Sequence, residues 1–182
     1  ESFYFDVCYA PLARAETTAD IDAFVWPDPW TQREEQWLKQ EVRRLHQGTD
    51  KALFAGLPMF VCSFFELSLV LFGFENFMMK LATERDLVEY WLDAKLAHDL
   101  AILEKFLAVA GPCLEVIQMN DDLGNQESLQ ISPKLYRELI KPRQRQWIEF
   151  VKARTSAKVF IHCDGAIEPL LPDFIEIGID VL

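Results

Sequence analysis

Glycine and proline are sparse in this chain, 7 and 9 of 182 residues, and 51% of the residues are hydrophobic. That balance excludes a disordered or low-complexity polypeptide and leaves enough apolar side chains for a sizeable core. Cysteine is sparse too. Cys8, Cys62, Cys113 and Cys163 stand far apart, mostly in apolar surroundings, and form no C-x-x-C pair, which argues against a disulfide framework and for the reduced thiols of a cytoplasmic protein. Basic residues are in deficit: 18 Lys and Arg against 29 Asp and Glu give a formal charge of −11. Such a surface repels phosphate backbones and anionic lipid, so neither nucleic acid nor a membrane is expected as a partner. Long apolar runs are missing as well. The nearest, "ALFAGLPMFVCSFFELSLVLFGF" at residues 52–74, is broken by Gly56, Pro58, Ser63, Glu66 and Ser68 and reads as buried core rather than a span. An initiator methionine and a signal-peptide pattern are absent from "ESFYFDVCYAPLARAE", and the chain closes on the strand-like "GIDVL". Both ends are therefore expected to be truncations of one longer domain that fills residues 1–182.

What is present is an alternation. Pro27 and Pro29 mark an irregular connection at residues 17–30, in which Trp26 and Trp30 suit a loop packed on a pocket. A helix with a thin apolar stripe (Trp37, Leu38, Val42, Leu45) is expected over 31–46, closed by Gly48. "KALFAG" reads as a short buried strand, followed by helical segments at 60–72 and 75–82 and by a long helix over 84–110 that Gly111 and Pro112 stop. Residues 114–119 are strand-like. Ser132 and Pro133 give an N-cap and first-turn signal for a helix to about 154, which Pro142 should kink or divide. "VFIH" is a third strand, a helix follows over 166–177, and a last strand starts at Ile179. The alternation of strand and helix predicts a parallel sheet with right-handed crossovers, an α/β fold.

Parallel strands present their carboxyl ends as the usual place for a site. Gly56 and Pro58 follow the first strand, Asn120, Asp121 and Asp122 the second, and His162, Cys163 and Asp164 the third. All three groups should meet on one rim. The plainer readings stand beside this: Asp121 and Asp122 as turn or helix caps, Asp164 as a turn residue before Gly165, His162 as a structural histidine, Cys163 as an inert small apolar group. His46 and His98 are expected to be surface or packing residues, and "KPRQRQ" at 141–146 a solvated helix face.

The stretch "MNDDLGNQESLQISPKLYRELIKPRQRQWIEFVKARTSAKVFIHCDGAIEPLLPDFIEIGIDVL" resembles the second half of the uroporphyrinogen decarboxylase superfamily, which also holds methyltransferases that work with corrinoid proteins and thiol substrates. "WPDP" and "GFENFMMKLATERDLVEYWLD" are similar to the part before it. The resemblance implies a (β/α)8 TIM barrel of which this chain holds only a part. It implies a catalytic role for Asp121, Asp122 and His162, and substrate contacts from Asn120, Gln126, Tyr136 and Gly56. In the zinc methyltransferases of this superfamily the third strand continues as His-x-Cys. Here His162 matches the histidine, Asp164 takes the place of the cysteine, and Cys163 falls between them. His162 and Asp164 lie two apart and can face the same way, so a mixed, harder site is expected from them, with Cys163 turned away.

The first expectation for function is a decarboxylase acting without a cofactor on a tetrapyrrole-type carboxylate. The alternative is a corrinoid-dependent methyltransferase that uses zinc and a corrinoid protein partner to act on a thiol substrate. A noncatalytic barrel is the third reading. A homodimer would suit any of them.

Overall fold

The computed structural model describes residues 7–28, 30–57 and 59–182, so the prolines at 29 and 58 lie outside the described residues. Helix α1 (Thr18–Asp22) starts on a capping box, with Thr17 and Asp20 each accepting from the other's backbone N–H. Thr31 caps α2 (Gln32–Gly48) by accepting from the Glu34 N–H, and α2 lies on the outside with no buried residue. Strand β1 is shorter than expected, Phe54–Ala55, and Phe54 is 52% exposed. The strand read as buried from "KALFAG" is thus an open edge, because among the described residues β1 pairs on one side only.

Three helices follow, α3 (Met59–Cys62), α4 (Phe65–Phe72) and α5 (Phe74–Thr83). They lead into α6 (Arg85–Ala110), which ends where a turn at Gly111–Cys113 begins. Strand β2 (Val116–Asn120) runs parallel between β1 and β3 (Lys158–His162), with Asn120 opposite His162. Ser132 caps α7 (Pro133–Leu135) as the sequence indicates, accepting from the Leu135 N–H at 3.2 Å. The chain then widens into a π-helical turn at Tyr136–Ile140 and continues as α8 (Lys141–Lys152). Pro142 is the cause: it has no N–H to offer a carbonyl one α-turn back, so the ladder must expand before it. Beyond β3, a short turn at Glu168–Leu170 leads into α9 (Leu171–Ile177), and Val181 bridges parallel to Phe160. Among the described residues no helix is long and apolar enough to cross a membrane.

The sheet has one dry face. Ile117, Met119, Val159 and Ile161 point into a core shared with Trp91, Leu103, Trp147 and Val151, while the alternate positions Val116, Gln118, Asn120, Lys158 and His162 stay partly or well exposed. Among the described residues, helices cover one face of the sheet only. The solvated face expected at 141–146 is corrected. Lys141 and Arg143 are each 9% exposed and Gln144 is fully buried, because Lys141 pairs with Asp173 and Glu176, and Arg143 with Asp93. Trp26 stacks on Trp91 at 5.2 Å and on His98 at 4.3 Å, which makes it a clamp on α6.

Candidate functional site

Asp121 and Asp122 follow β2, and being adjacent they part ways. Asp121 turns into the core and is fully buried. Its Oδ1 accepts from Ser63 Oγ at 2.9 Å and from the N–H groups of Phe64, Phe65 and Glu66 at 3.1, 2.7 and 3.0 Å. Its Oδ2 accepts from Gln144 Nε2 at 3.1 Å, and Gln144 in turn accepts from the Tyr136 hydroxyl at 2.8 Å. Asp121 therefore caps α4 from another strand, satisfying the orphan amides and complementing the helix dipole. Burial still pushes its carboxyl up to about 6, against those donated hydrogen bonds.

The substrate contact expected of Tyr136 is corrected by the same network. The ring is fully buried, edge-on to Phe174 at 6.0 Å, and its hydroxyl is occupied by Gln144, with burial raising its pKa. Tyr136 belongs to the core.

Asp122 turns the other way and meets the end of β3. His162 Nε2 lies 3.8 Å from Asp122 Oδ1 and 3.9 Å from Asp164 Oδ2, and the Asp164 N–H donates to Asp122 Oδ1 at 2.9 Å. One ligand atom from each of the three residues lies within 4.8 Å of the others. Their side chains are 31%, 45% and 78% exposed for Asp122, His162 and Asp164, so the cluster opens to solvent. Cys163 faces away as alternation requires. Its Sγ accepts from the Leu123 N–H at 3.4 Å, and burial pushes the thiol up to about 12, far from a metal-binding thiolate.

Two glycines set this geometry. Gly165 has φ +88°, and a Cβ there would meet Asn125 O and Gly124 C at 2.6 Å; one on Gly124 would meet Asp164 O at 2.9 Å. The loops after β2 and β3 are therefore packed backbone to backbone, further joined by the Ala166 N–H to Asn125 O bond at 2.8 Å. Only glycine permits that approach at Gly165.

The remaining expected residues are spread out. Asn120 sits on the open face opposite His162 and accepts from Gln118 Nε2 at 2.6 Å. Gln126 is exposed in the loop that Asn125 turns by accepting from the Glu127 and Ser128 N–H groups. Gly56 lines a 410 Å³ apolar groove between α2, β1 and α6 that contains none of the acidic rim residues. Glu66 is a residue that sequence reasoning passed over. It is half-buried in the first turn of α4, and burial together with the Asp122 and Asp121 charges pushes its carboxyl up to about 7. Its one sequence signal was a lone charge in "SFFELSLVLF", read only as an interruption of an apolar run.

A parallel sheet with helical crossovers, and with acids and an imidazole at the carboxyl ends of adjacent strands, defines an α/β domain with a candidate site on that rim. More particularly, the chain belongs to the uroporphyrinogen decarboxylase (URO-D) family, whose model matches residues 10–182. Among solved structures it is similar to a methyltransferase from Methanosarcina mazei, with a TM-score of 0.58 and 17% sequence identity over 78% of this chain. The chain spans 39% of that protein's length, and likeness at such identity speaks for the fold alone. No curated protein sequence matches the chain.

Proposed function

We propose that the chain carries the metal-binding side of a methyl-transferring enzyme of the URO-D family, with Asp122, His162 and Asp164 as the residues that would hold a divalent cation. The observation that carries this reading is the convergence of three ligand atoms within 4.8 Å at two neighbouring strand ends. Asp122 and Asp164 make no ion pair with lysine or arginine among the described residues. An acidic cluster of this kind attracts a cation and repels a substrate studded with carboxylates.

The residues fit such a group. Imidazole nitrogen and carboxylate oxygen are ligands of catalytic zinc, and three protein ligands leave an open position for a reactant. With no sulfur in the set, the site is harder than the histidine and cysteine arrangement of thiol-activating zinc enzymes, and favours zinc or a harder divalent ion. When bound, the ion would act as a Lewis acid that lowers the pKa of a thiol or hydroxyl nucleophile. The protein's own part is to hold the ligands at fixed separation through the Gly124 and Gly165 contact, and to keep Cys163 out of the site. In this reading the whole protein is a cytoplasmic (β/α)8 barrel, zinc-dependent and active as a homodimer, and a corrinoid protein docks at the strand ends as methyl donor.

A second reading is decarboxylation of a tetrapyrrole-type carboxylate, favoured by Glu66, an acid that retains protons near neutral pH. One assay separates the two. The full-length protein is given methylcob(III)alamin with a small thiol, and in parallel a uroporphyrinogen, each with and without Zn²⁺. The leading reading predicts zinc-dependent thiol methylation that His162→Ala abolishes. Metal-independent release of carbon dioxide would establish the second reading in its place, and inactivity in both would leave a noncatalytic barrel.

A further inference from the structure

We propose that Asn120 determines specificity at this rim, its carboxamide turned by Gln118 so that the Nδ2 group donates to a neutral acceptor oxygen on the molecule that reacts beside His162. The proposal rests on the reading of that rim as the reaction site. It adds a substrate class, a thiol or hydroxyl nucleophile that carries a carbonyl oxygen near its reacting atom.

Placement comes from the sheet. Asn120 is the last residue of β2 and pairs across the parallel ladder with His162, the last residue of β3. Adjacent strands lie about 4.8 Å apart and paired residues project to the same side, so both side chains stand on the open face at the carboxyl ends of the strands. Asn120 is half-buried and His162 exposed there, while their neighbours Met119 and Ile161 are fully buried on the dry face.

Orientation comes from Gln118, two residues earlier on the same face. It donates from Nε2 to Asn120 Oδ1 at 2.6 Å. A carboxamide has one acceptor end and one donor end, so this bond occupies the oxygen of Asn120 and directs Nδ2 away from Gln118. Among the described residues Asn120 Nδ2 donates to nothing. Gln118 has room to lie this way because residue 56 is glycine, where a Cβ would stand 3.6 Å from Gln118 Oε1. The rings of Phe54 and Phe160, from the strands on either side, come within 5.7 Å of each other over β2. The amide pair thus stands between an apolar patch and the rim. Asparagine is disfavoured in strands, so a donor held free at the last rung of the ladder is better accounted for by a ligand than by the sheet.

The kind of ligand follows from what surrounds that donor. Free N–H groups call for an acceptor, and the charges of Asp122 and Asp164 disfavour a carboxylate; a carbonyl oxygen meets both conditions. Asn120 is then the residue that touches substrate, and Gln118 is a positioning residue that acts through it.

The test uses the full-length protein and two neutral thiols: methyl thioglycolate, which carries a carbonyl oxygen, and 1-butanethiol, which does not. Binding without turnover is read first, by NMR of protein carrying 15N-labelled asparagine. The side-chain amide signals of Asn120, identified as those missing in Asn120→Leu, should move with methyl thioglycolate and stay in place with 1-butanethiol. Methylcob(III)alamin and Zn²⁺ are then supplied, and the ratio of kcat/KM for the two thiols is compared between variants, so that their intrinsic reactivities cancel. Asn120→Leu should lower this ratio about fivefold, as loss of one hydrogen bond does, and Gln118→Met about threefold. In the Asn120→Leu background Gln118→Met should lower it no further, since its effect runs through Asn120. General damage to the fold would depress both thiols together and leave the ratio where it was. Amide signals that ignore both thiols or follow both equally overturn the proposal. So does an unchanged ratio in Asn120→Leu, or a Gln118→Met effect that persists without Asn120. Selective amide shifts in a protein that methylates neither thiol would uphold the role of Asn120 and count against methyl transfer at the rim, so the two failures are told apart.

Discussion

At the scale of single residues, two adjacent acids divide the work. Asp121 holds the scaffold and Asp122 faces the opening, because successive side chains at a strand end point to opposite sides. Removing the Asp121 carboxylate strands the Ser63 hydroxyl, three backbone N–H groups and the Gln144 amide in the core. Asp121→Ala should therefore destabilise by about 3 kcal/mol or more, read from urea unfolding, whereas Asp122→Ala should leave stability within about 0.5 kcal/mol. Glu66 makes a pH-dependent contribution whose sign is fixed by its raised pKa. Its folded pKa of about 7 exceeds the ordinary value of 4.5, so the folded state holds the proton more tightly. The associated stability is fully present below pH 4.5 and is lost as pH rises through about 7. Glu66→Gln should equal wild type in unfolding free energy at the acid end and exceed it at pH 8. The margin should be about 1 kcal/mol, once the half-exposed position is discounted for solvent screening.

At the scale of elements, much was legible because local chemistry decides it. Ser132 and Pro133 start a helix, Gly111 and Pro112 stop one, and Pro142 disrupts the ladder just ahead of itself; each acts within one turn of its own position. Ser132→Ala should cost about 1 kcal/mol, as loss of an N-cap does, in the same unfolding assay. The rim was legible in outline, since it needs only parallel strands and their carboxyl ends. What escaped was decided by tertiary placement. Tyr136 resembled a substrate-binding residue in pattern, yet the π-helical turn swings it under Phe174 and onto Gln144. Glu66 was hidden by its apolar neighbours, because the acidic charges that bear on it, those of Asp122 and Asp121, come from more than 50 residues away in sequence. Gly165 looked like an ordinary turn glycine, while its contact with the backbone of the β2 loop shows only in three dimensions. Gly165→Ala should push the two loops apart and cost about 2 kcal/mol or more, from the strained φ and the backbone overlap together. It should weaken divalent metal binding by at least about tenfold through displaced ligands, as measured by calorimetric titration.

For the molecule as a whole, a three-stranded parallel sheet covered by helices on one side leaves Val116, Gln118, Asn120, Lys158 and His162 on an open face. In a complete barrel this face would be the lumen, where His162 and Asn120 would stand beside residues from other strands. The chain's charge of −11 and its acidic rim act in the same direction: both favour cations over polyanionic substrates. The departure from His-x-Cys at Asp164 would make the proposed ligand set harder without dispersing it, since Asp164 offers oxygen in place of sulfur at the same two-residue spacing from His162. Whether Asp122, His162 and Asp164 hold a metal is tested most directly by metal analysis of the full-length protein purified without chelator. One equivalent of zinc or another divalent ion in wild type, lost in both His162→Ala and Asp164→Asn, is the predicted result; wild type and variants equally free of metal, even after dialysis against Zn²⁺, would contradict it.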